Sequence, residues 1–290
     1  MQTAVKRSGP DRCLLCGCAE VHPTRALRSP YLDASYELYV CETCDSQFFD
    51  VHEHEVSLAQ LYERQAESEE YRIEPRFKWS RYWHHEVKQL MALHGGNIRS
   101  VLDIGCRTGD FLMHWPARVT RVGVESSKRA ADIAAQRGLT VVRAPVEEYH
   151  PPEPFSIVSL YAIVEHLVDP VAFLKRLPPL VERGGIVAIM IPTRQCLKQW
   201  LLTSVGRQWY MYAPPLHLTF ISRRRLDEIM EGIGFERVRR RYTSGGTFNL
   251  FGALPVLSKV WNRLMWWADA YTLLNRLPVF DHMYTYYRKR

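Results

Sequence analysis

The sequence predicts an α/β fold: a mostly parallel sheet with helices on its faces, preceded by a small cysteine-bearing module. Three observations predict it. From Val101 onward, short apolar runs alternate with helical stretches, which is the pattern of βαβ units. The first of those runs, SVLDIGCRTGDF at residues 100–111, reads as a buried strand breaking into a glycine turn that opens a helix. Of the seven cysteines, at 13, 16, 18, 41, 44, 106 and 196, five crowd into the first 44 residues.

Taken in order, residues 1–50 are the cysteine module, with alternating patches such as YELYV that read as short strands. Residues 51–97 read as a helical linker. Leu58, Leu61 and Tyr62, then Trp83, Val87, Leu90 and Met91, recur at helical spacing, and Gly95 and Gly96 stop the second helix. The domain at 98–290 begins with VLDIG as its first strand, and RVGVE, TVVRA, FSIVSLY and GIVAIMI follow as the second to fifth. Between them, SKRAADIAAQRG and DPVAFLKRLPPLVERG read as helices. SRRRLDEIMEGIGF is an amphipathic helix led by Ser222 and closed by Gly234, feeding a sixth strand, ERVRRRYTS.

Composition bounds function only broadly. With 290 residues, 47% hydrophobic and 24% charged, the chain has the make-up of one large domain plus an appendage. MQTAVKRSGPDRC lacks the apolar core of a secretion signal, and the longest uncharged run, 242–258, is broken by three glycines and a proline. A cytoplasmic location is therefore expected. The net charge of +7 favours anionic partners, while 12% aromatic residues suits apolar surfaces equally, so charge alone does not decide.

Cys13-x2-Cys16 and Cys41-x2-Cys44 are paired knuckles separated by 24 residues. Four thiolates at this spacing suit tetrahedral zinc, and a closed four-sulfur site is structural rather than catalytic. Cys18 could replace Cys16, and His22 is close. The competing redox C-x-x-C reading is disfavoured by the duplicated knuckle.

The glycine turn suits a ligand. In open parallel sheets ligands sit beyond the carboxyl ends of the strands, where the topology reverses, and Gly105 and Gly109 let the backbone approach one closely. It is not a dinucleotide fingerprint, because Arg107 and Asp110 stand where G-x-G-x-x-G needs glycine. Glu125 ends the second strand, 22 residues after Asp103, where a carboxylate can accept both hydroxyls of a ribose.

VLDIGCRTGDF, VGVESS, FSIVSLYAIVEHLVDPVAFL, ERGGIVAIMIPT and HLTFISRRRLDEIMEGIGF, in that order and spacing, resemble the class I S-adenosylmethionine-dependent methyltransferases. More narrowly they resemble the branch with ubiquinone-type O-methyltransferases and many bacterial natural-product and glycan methyltransferases. The resemblance covers residues 80–243. It implies a Rossmann-like seven-stranded sheet whose last strand, MYTYYRKR, is antiparallel, with a helical insertion at about 244–281 before it. It also implies that Gly105 and Gly109 line the methionine portion of S-adenosylmethionine, that Asp103 steadies the turn and contacts the amino group, and that Glu125 binds the ribose. Cys106 and Arg107 in the turn and Tyr161 after the fourth strand complete the expected contacts. Two residues depart from the family pattern. Arg107 stands where the family has glycine, and Pro145 stands where it often has an acid on adenine, leaving adenine to the backbone at Val146 or to Glu147. Similar zinc-ribbon heads precede such domains, where they imply a structural or substrate-docking role.

The sulfonium already activates its methyl group, so a nucleophile must be aligned and water excluded. A hydroxyl acceptor also needs a base, for which histidine is suited. His166 in VEHLVDP, beside Glu165, and His217 in PPLHLTF are the candidates, and either can instead be structural, His166 bonding its loop and His217 ordering a lid. Some ubiquinone-type relatives bind a divalent metal through E-x-x-E-H at this point. Here Ala162 replaces the first carboxylate and two ligands hold a hard cation poorly, so metal-dependent transfer is not expected.

In the last third, Leu257, Val260, Trp261, Leu264, Trp267, Ala268, Tyr271 and Leu274 share one helical face. That face packs on the domain, covers a greasy substrate, or meets a membrane interface. Arg223 to Arg225, Arg237 and Arg239 to Arg241 are solvated faces or meet phosphate or lipid headgroups. The expectation is O-methyl transfer to a small-molecule, hydrophobic, lipid-linked or glycan acceptor, with peripheral membrane contact as an option and nucleic acid not expected. The alternatives are an RNA or protein methyltransferase, which the absence of an N/D-P-P-[YF] motif argues against, and a non-catalytic zinc-bearing scaffold. The sequence gives no indication of oligomeric state.

Overall fold

The computed structural model describes residues 9–50, 77–204, 206–243 and 276–290. The helical reading of 51–76 and the aromatic face of 244–275 lie outside the described residues. In chain order the elements are β1 (Val21–Arg28), β2 (Ser35–Cys41), β3 (Gln47–Phe49), α1 (Phe77–His94), β4 (Ser100–Ile104), β5 (Thr120–Val124), α2 (Lys128–Gln136), β6 (Thr140–Val142) and β7 (Phe155–Tyr161). They continue with α3 (Pro170–Leu174), β8 (Val181–Pro192), α4 (Leu197–Ser204), β9 (Thr219–Phe220), α5 (Arg223–Gly232), β10 (Phe235–Thr243) and β11 (His282–Lys289).

Seven strands form the main sheet in the order β10-β11-β8-β7-β4-β5-β6. β4 pairs parallel with β5 and β7, β5 with β6, and β7 with β8, while β11 runs antiparallel to both β8 and β10. This is the mostly parallel sheet with an antiparallel final strand that the family resemblance implied. Central β7 is buried along FSIVSL because both of its faces are covered. Each such apolar side chain contributes about 1.5–3 kcal/mol relative to exposure. The helices obey their caps. Ser127 accepts from Ala130 N to start α2, Ser222 accepts from Arg225 N to start α5, and Gly95 and Gly234 close α1 and α5 with positive φ.

Two readings change. DPVAFLKRLPPLVERG does not form one helix. α3 stops at Leu174, Pro178 opens a separate short 3-10 turn, and Val181 already belongs to β8. Consecutive prolines lack the N–H groups that a continuing helix needs. The cysteine module also draws on more than the first 50 residues, because its sheet has the order β1-β2-β3-β9. One small sheet has to bury its apolar face against another layer. Leu27, Tyr36, Leu38 and Phe49 therefore pack with Trp209, Met211, Tyr212 and Phe220 from the main domain. Among the described residues no helix is long and apolar enough to cross a membrane.

Candidate functional site

The chain order reverses between β4 and β7, so the loops leaving those two strands face one another at the switch point. The β4 loop holds three left-handed residues, Gly105 (φ 74°), Arg107 (φ 50°) and Gly109 (φ 79°). An L-residue pays roughly 1–2 kcal/mol in that region, which explains why the position of Arg107 suits glycine. The turn is pinned from outside. Gly105 N and Cys106 N donate to Val124 O at 2.8 and 3.0 Å, and Arg137 donates to Thr108 O at 2.7 Å and to Asp110 at 2.6 Å. A Cβ on Gly109 would lie 2.1 Å from Leu139 Cδ1, and one on Gly105 would lie 2.0 Å from Ile163 Cδ1 in the β7 loop. The two loops are therefore in contact.

Glu125 is tied to this turn. Its Oε2 accepts from Arg107 N at 2.9 Å and its Oε1 from Ser127 N at 2.8 Å. Burial raises its pKa, against the pull of those two N–H groups and the Arg107 charge. Each oxygen keeps a second lone pair for a ligand hydroxyl. Asp103 is also buried. Ser159 Oγ donates to its Oδ1 at 2.7 Å, and burial pushes its pKa up to about 7, with the nearby Glu125 charge adding to the rise. Two buried carboxylates at one switch point favour a ligand carrying a cation and hydroxyls.

The β7 loop turns at Ala162, which has φ 56°, and enters a 3-10 turn, Val164–His166. Glu165 is 2% exposed, and its Oε2 has no hydrogen-bond partner among the described residues. His166 Nδ1 lies 2.8 Å from Leu216 O, and His217 Nδ1 lies 2.7 Å from Met211 O. A carbonyl only accepts, so both Nδ1 atoms carry the proton and both Nε2 atoms carry a lone pair. The rings sit edge to face, with centroids 4.8 Å apart. Burial lowers the pKa of His166 to about 3, helped by His217 and Arg107, and that of His217 to about 4, helped by His282. Burial raises Glu165 to about 8. The structure thus gathers Glu165, His166 and His217 into one cluster.

With this geometry established, the relatives can be compared. The family profile described as "Methyltransferase domain" matches residues 53–239. The chain belongs to this methyltransferase family. A ubiquinone biosynthesis O-methyltransferase of Bradyrhizobium diazoefficiens is 32% identical over 140 residues, covering 45% of this chain and 53% of that protein. The chain thus spans about half the length of the curated relatives it matches. A SAM-dependent methyltransferase from Archaeoglobus fulgidus has the same fold, with a TM-score of 0.51, 17% identity, and coverage of 80% of this chain and 100% of that one. So has magnesium protoporphyrin IX methyltransferase from Synechocystis, solved with bound SAH, with a TM-score of 0.50, 14% identity and coverage of 82% and 90%. By family this chain is a methyltransferase, and it has the fold of SAM-dependent methyltransferases.

The other expected cofactor residues of the methyltransferase are distributed unevenly. Cys106 turns its sulfur into the core against Gly123, so it offers no side chain to a ligand. Tyr161 Oη donates to Glu86 Oε1 at 2.8 Å, and its ring packs on Trp83, Phe111 and Tyr284. Val146 and Glu147 lie in the 3-10 turn Val146–Glu148 after β6, and the side chain of Glu147 is outside the described residues. Sequence reasoning missed the buried Glu86–Arg241 ion pair, around which Tyr82, Tyr161 and Tyr286 gather. The available signal was a carboxylate beside the apolar face of α1, between Trp83 and Leu90.

The cysteine knuckle is equally defined. One ligand atom from each of Cys13, Cys16, Cys41 and Cys44 lies within 4.8 Å of the others. Cys13 Sγ to Cys44 Sγ is 3.7 Å and Cys16 Sγ to Cys41 Sγ is 3.5 Å, and all four are free thiols. Tetrahedral zinc with bonds of about 2.3 Å sets sulfurs about 3.8 Å apart, so the donors fit. Cys18 stands outside the cluster, accepting from Thr43 Oγ1 at 2.9 Å, and His22 faces Glu42 at 3.6 Å. The knuckle docks on the domain through Ser222 Oγ to Cys44 O at 2.6 Å, Arg225 Nε to Leu15 O at 2.9 Å, and ion pairing of Arg194 with Asp45.

Proposed function

We propose that this methyltransferase transfers methyl to a hydroxyl of a hydrophobic, lipid-linked or glycan acceptor, with the His166–His217 pair taking the proton. The observation that carries this reading is the fixed tautomer of both rings, which presents two Nε2 lone pairs beside the loop that touches the glycine turn. Burial keeps both rings neutral at neutral pH, so each Nε2 carries no proton and can accept one. The relatives named as ubiquinone biosynthesis O-methyltransferases support oxygen as the accepting atom. In the same reading Asp103 meets the cofactor's amino group, Glu125 its ribose, and Gly105, Arg107 and Gly109 its methionine portion, with Val146 and Glu147 toward adenine. Cys13, Cys16, Cys41 and Cys44 hold a structural zinc.

Part of the charge of the arginine runs is met within the chain: Arg237 and Arg240 share Asp227, Arg224 and Arg225 share Glu228, and Arg241 pairs with Glu86. The test is labelled-methyl transfer into a lipid extract and into RNA. Product in the lipid fraction that survives ribonuclease is expected, and product in RNA alone overturns the reading. Polar replacement of Trp261 and Trp267 should weaken acceptor use or liposome binding more than cofactor binding. If Trp261→Ser/Trp267→Ser folds and still methylates at the parental rate, the segment does not cover the substrate.

A further inference from the structure

α5 begins on three arginines. Arg223, Arg224 and Arg225 stand in its first turn, where the helix dipole favours negative charge, and no acid accompanies them there. Arg223 and Arg224 open onto a cleft of about 610 Å³ between α5 and β10, which Arg237, Arg240 and Arg276 also line. We propose that this cleft is an anion site for a phosphate or diphosphate group, carried by a soluble phosphorylated compound or by a lipid headgroup. The inference is independent of which atom accepts the methyl group.

The cleft is not neutralised from within. Three carboxylates, Asp227, Glu228 and Glu231, face five arginines, so two positive charges are in excess. Two of the carboxylates are also shared. Asp227 pairs with Arg240 at 2.6 Å and Arg237 at 3.3 Å, and it accepts from Tyr287 Oη at 2.7 Å. Glu228 pairs with Arg224 at 2.7 Å and Arg225 at 3.2 Å. Arg223 is oriented by neutral groups instead: its Nε donates to Gln195 Oε1 at 2.9 Å and its Nη1 to Tyr242 Oη at 3.3 Å. Crowded guanidiniums repel one another, and an anion bound among them removes that cost. Phosphate suits the arrangement better than a carboxylate, because its several oxygens can each take an N–H from a different guanidinium.

The cleft is separate from the switch point. β10 stands three strand spacings from β7 in the sheet, about 14 Å at about 4.8 Å each. The end formed by Arg223 and Tyr242 lies at the carboxyl edge, because Tyr242 pairs with Met283, and Met283 with Ile191 near the end of β8. A phosphate group in the cleft and a ligand at the glycine turn can therefore be held at the same time.

The test is calorimetric titration of the full chain with inorganic pyrophosphate at low salt. One saturable equivalent is expected. Arg223→Gln should weaken it about tenfold or more, and Arg276→Gln, at an exposed position, by a smaller factor. Glu231→Gln removes an exposed acid from the cleft and should tighten binding, a gain that no folding defect imitates. Arg118→Gln takes an exposed charge from beside β5, toward the opposite edge of the sheet, and should leave binding unchanged. S-adenosylmethionine affinity close to parental shows that Arg223→Gln remains folded; should it not fold, Arg276→Gln and Glu231→Gln decide. No saturable binding, an equal loss in Arg118→Gln, or succinate binding as tightly as pyrophosphate overturns the site. Release of the chain by pyrophosphate from phosphatidylcholine vesicles containing phosphatidic acid assigns the cleft to a lipid headgroup. Vesicle binding that pyrophosphate does not release, or none at all, assigns it to a soluble phosphorylated compound. Single-stranded RNA that binds the parent but not Arg223→Gln, with no pyrophosphate binding, overturns the proposal in favour of nucleic acid.

Discussion

The cysteine knuckle takes its four sulfurs from two C-x-x-C turns in the first 44 residues, whereas the Glu165–His166–His217 cluster takes its donors from loops about fifty residues apart. The first is closed, with every donor alike and every position filled by protein. The second is mixed and buried, and among the described residues its Glu165 Oε2 has no hydrogen-bond partner. The difference teaches how each is built: four like sulfurs on two short turns suit a closed structural site, whereas the mixed cluster exists only where two distant loops meet. The two are also physically joined. β3 follows the second knuckle and pairs with β9, and Phe49 N donates to Leu218 O at 2.9 Å, one residue from His217. The knuckle therefore helps hold the histidine that completes the other cluster.

Breaking the knuckle should have the largest effect. Structural zinc in small modules contributes on the order of 10–16 kcal/mol of binding free energy, so Cys41→Ser should release the ion and unfold the ribbon. Amides of β3 and β9 should then exchange quickly, and methyl transfer should fall while calorimetric cofactor binding remains. Unchanged transfer in a zinc-free variant would separate the two clusters.

Next comes the Glu165–His166–His217 cluster itself. His217→Gln should lower the transfer rate by about 10²–10⁴, the usual contribution of a general base, with the cofactor dissociation constant close to parental. An equal loss in both would mean that His217 only supports the fold.

Glu125→Ala should cost on the order of 1–3 kcal/mol of cofactor affinity, or about 5–150-fold in Kd by calorimetry, with the zinc content unchanged. It should leave the knuckle and the histidine cluster alone, which makes it a control for both.

The smallest effect is on stability against pH. Glu165 is raised from 4.5 to about 8, so its neutral form is favoured in the folded state. That contribution is complete below 4.5 and is lost as pH rises through about 8, because the unfolded chain gives up this proton first. The histidines oppose it: lowered to about 3 and about 4, they contribute fully above 6.5 and lose that contribution as pH falls toward those values. Without added transition metal, Glu165→Gln should therefore raise Tm relative to the parent as pH goes from about 5 to about 8, by roughly 2–4 °C for each kcal/mol recovered. A difference that does not change with pH means that Glu165 is ionised at all these values.

Much of the fold could be read from the chain because its signals are contiguous. The strand at 100–104, its glycine turn, the acid ending the next strand and the cap at Ser222 are each written in a few neighbouring residues. The paired knuckles were legible for the same reason. The helix expected across 169–184 was misread because its apolar pattern runs through Pro178 and Pro179 into β8. α4 and β9 were not anticipated, and Tyr161 and Cys106 were expected at the cofactor although one hydrogen-bonds Glu86 and the other packs inward.

By itself, then, the sequence determined the alternation that builds the parallel sheet, the turn that opens its switch point and the sulfur spacing of the ribbon. Each follows from local periodicity or from a short covalent tether, which constrains geometry wherever the segment ends up. Only the tertiary structure decided that His217 meets Glu165 and His166, that residues 209–220 complete the ribbon's core, and that Arg241 on β10 neutralises Glu86 on α1. Those meetings depend on strand pairing and burial between segments far apart in the chain, and no local pattern of residues encodes which distant partner will arrive.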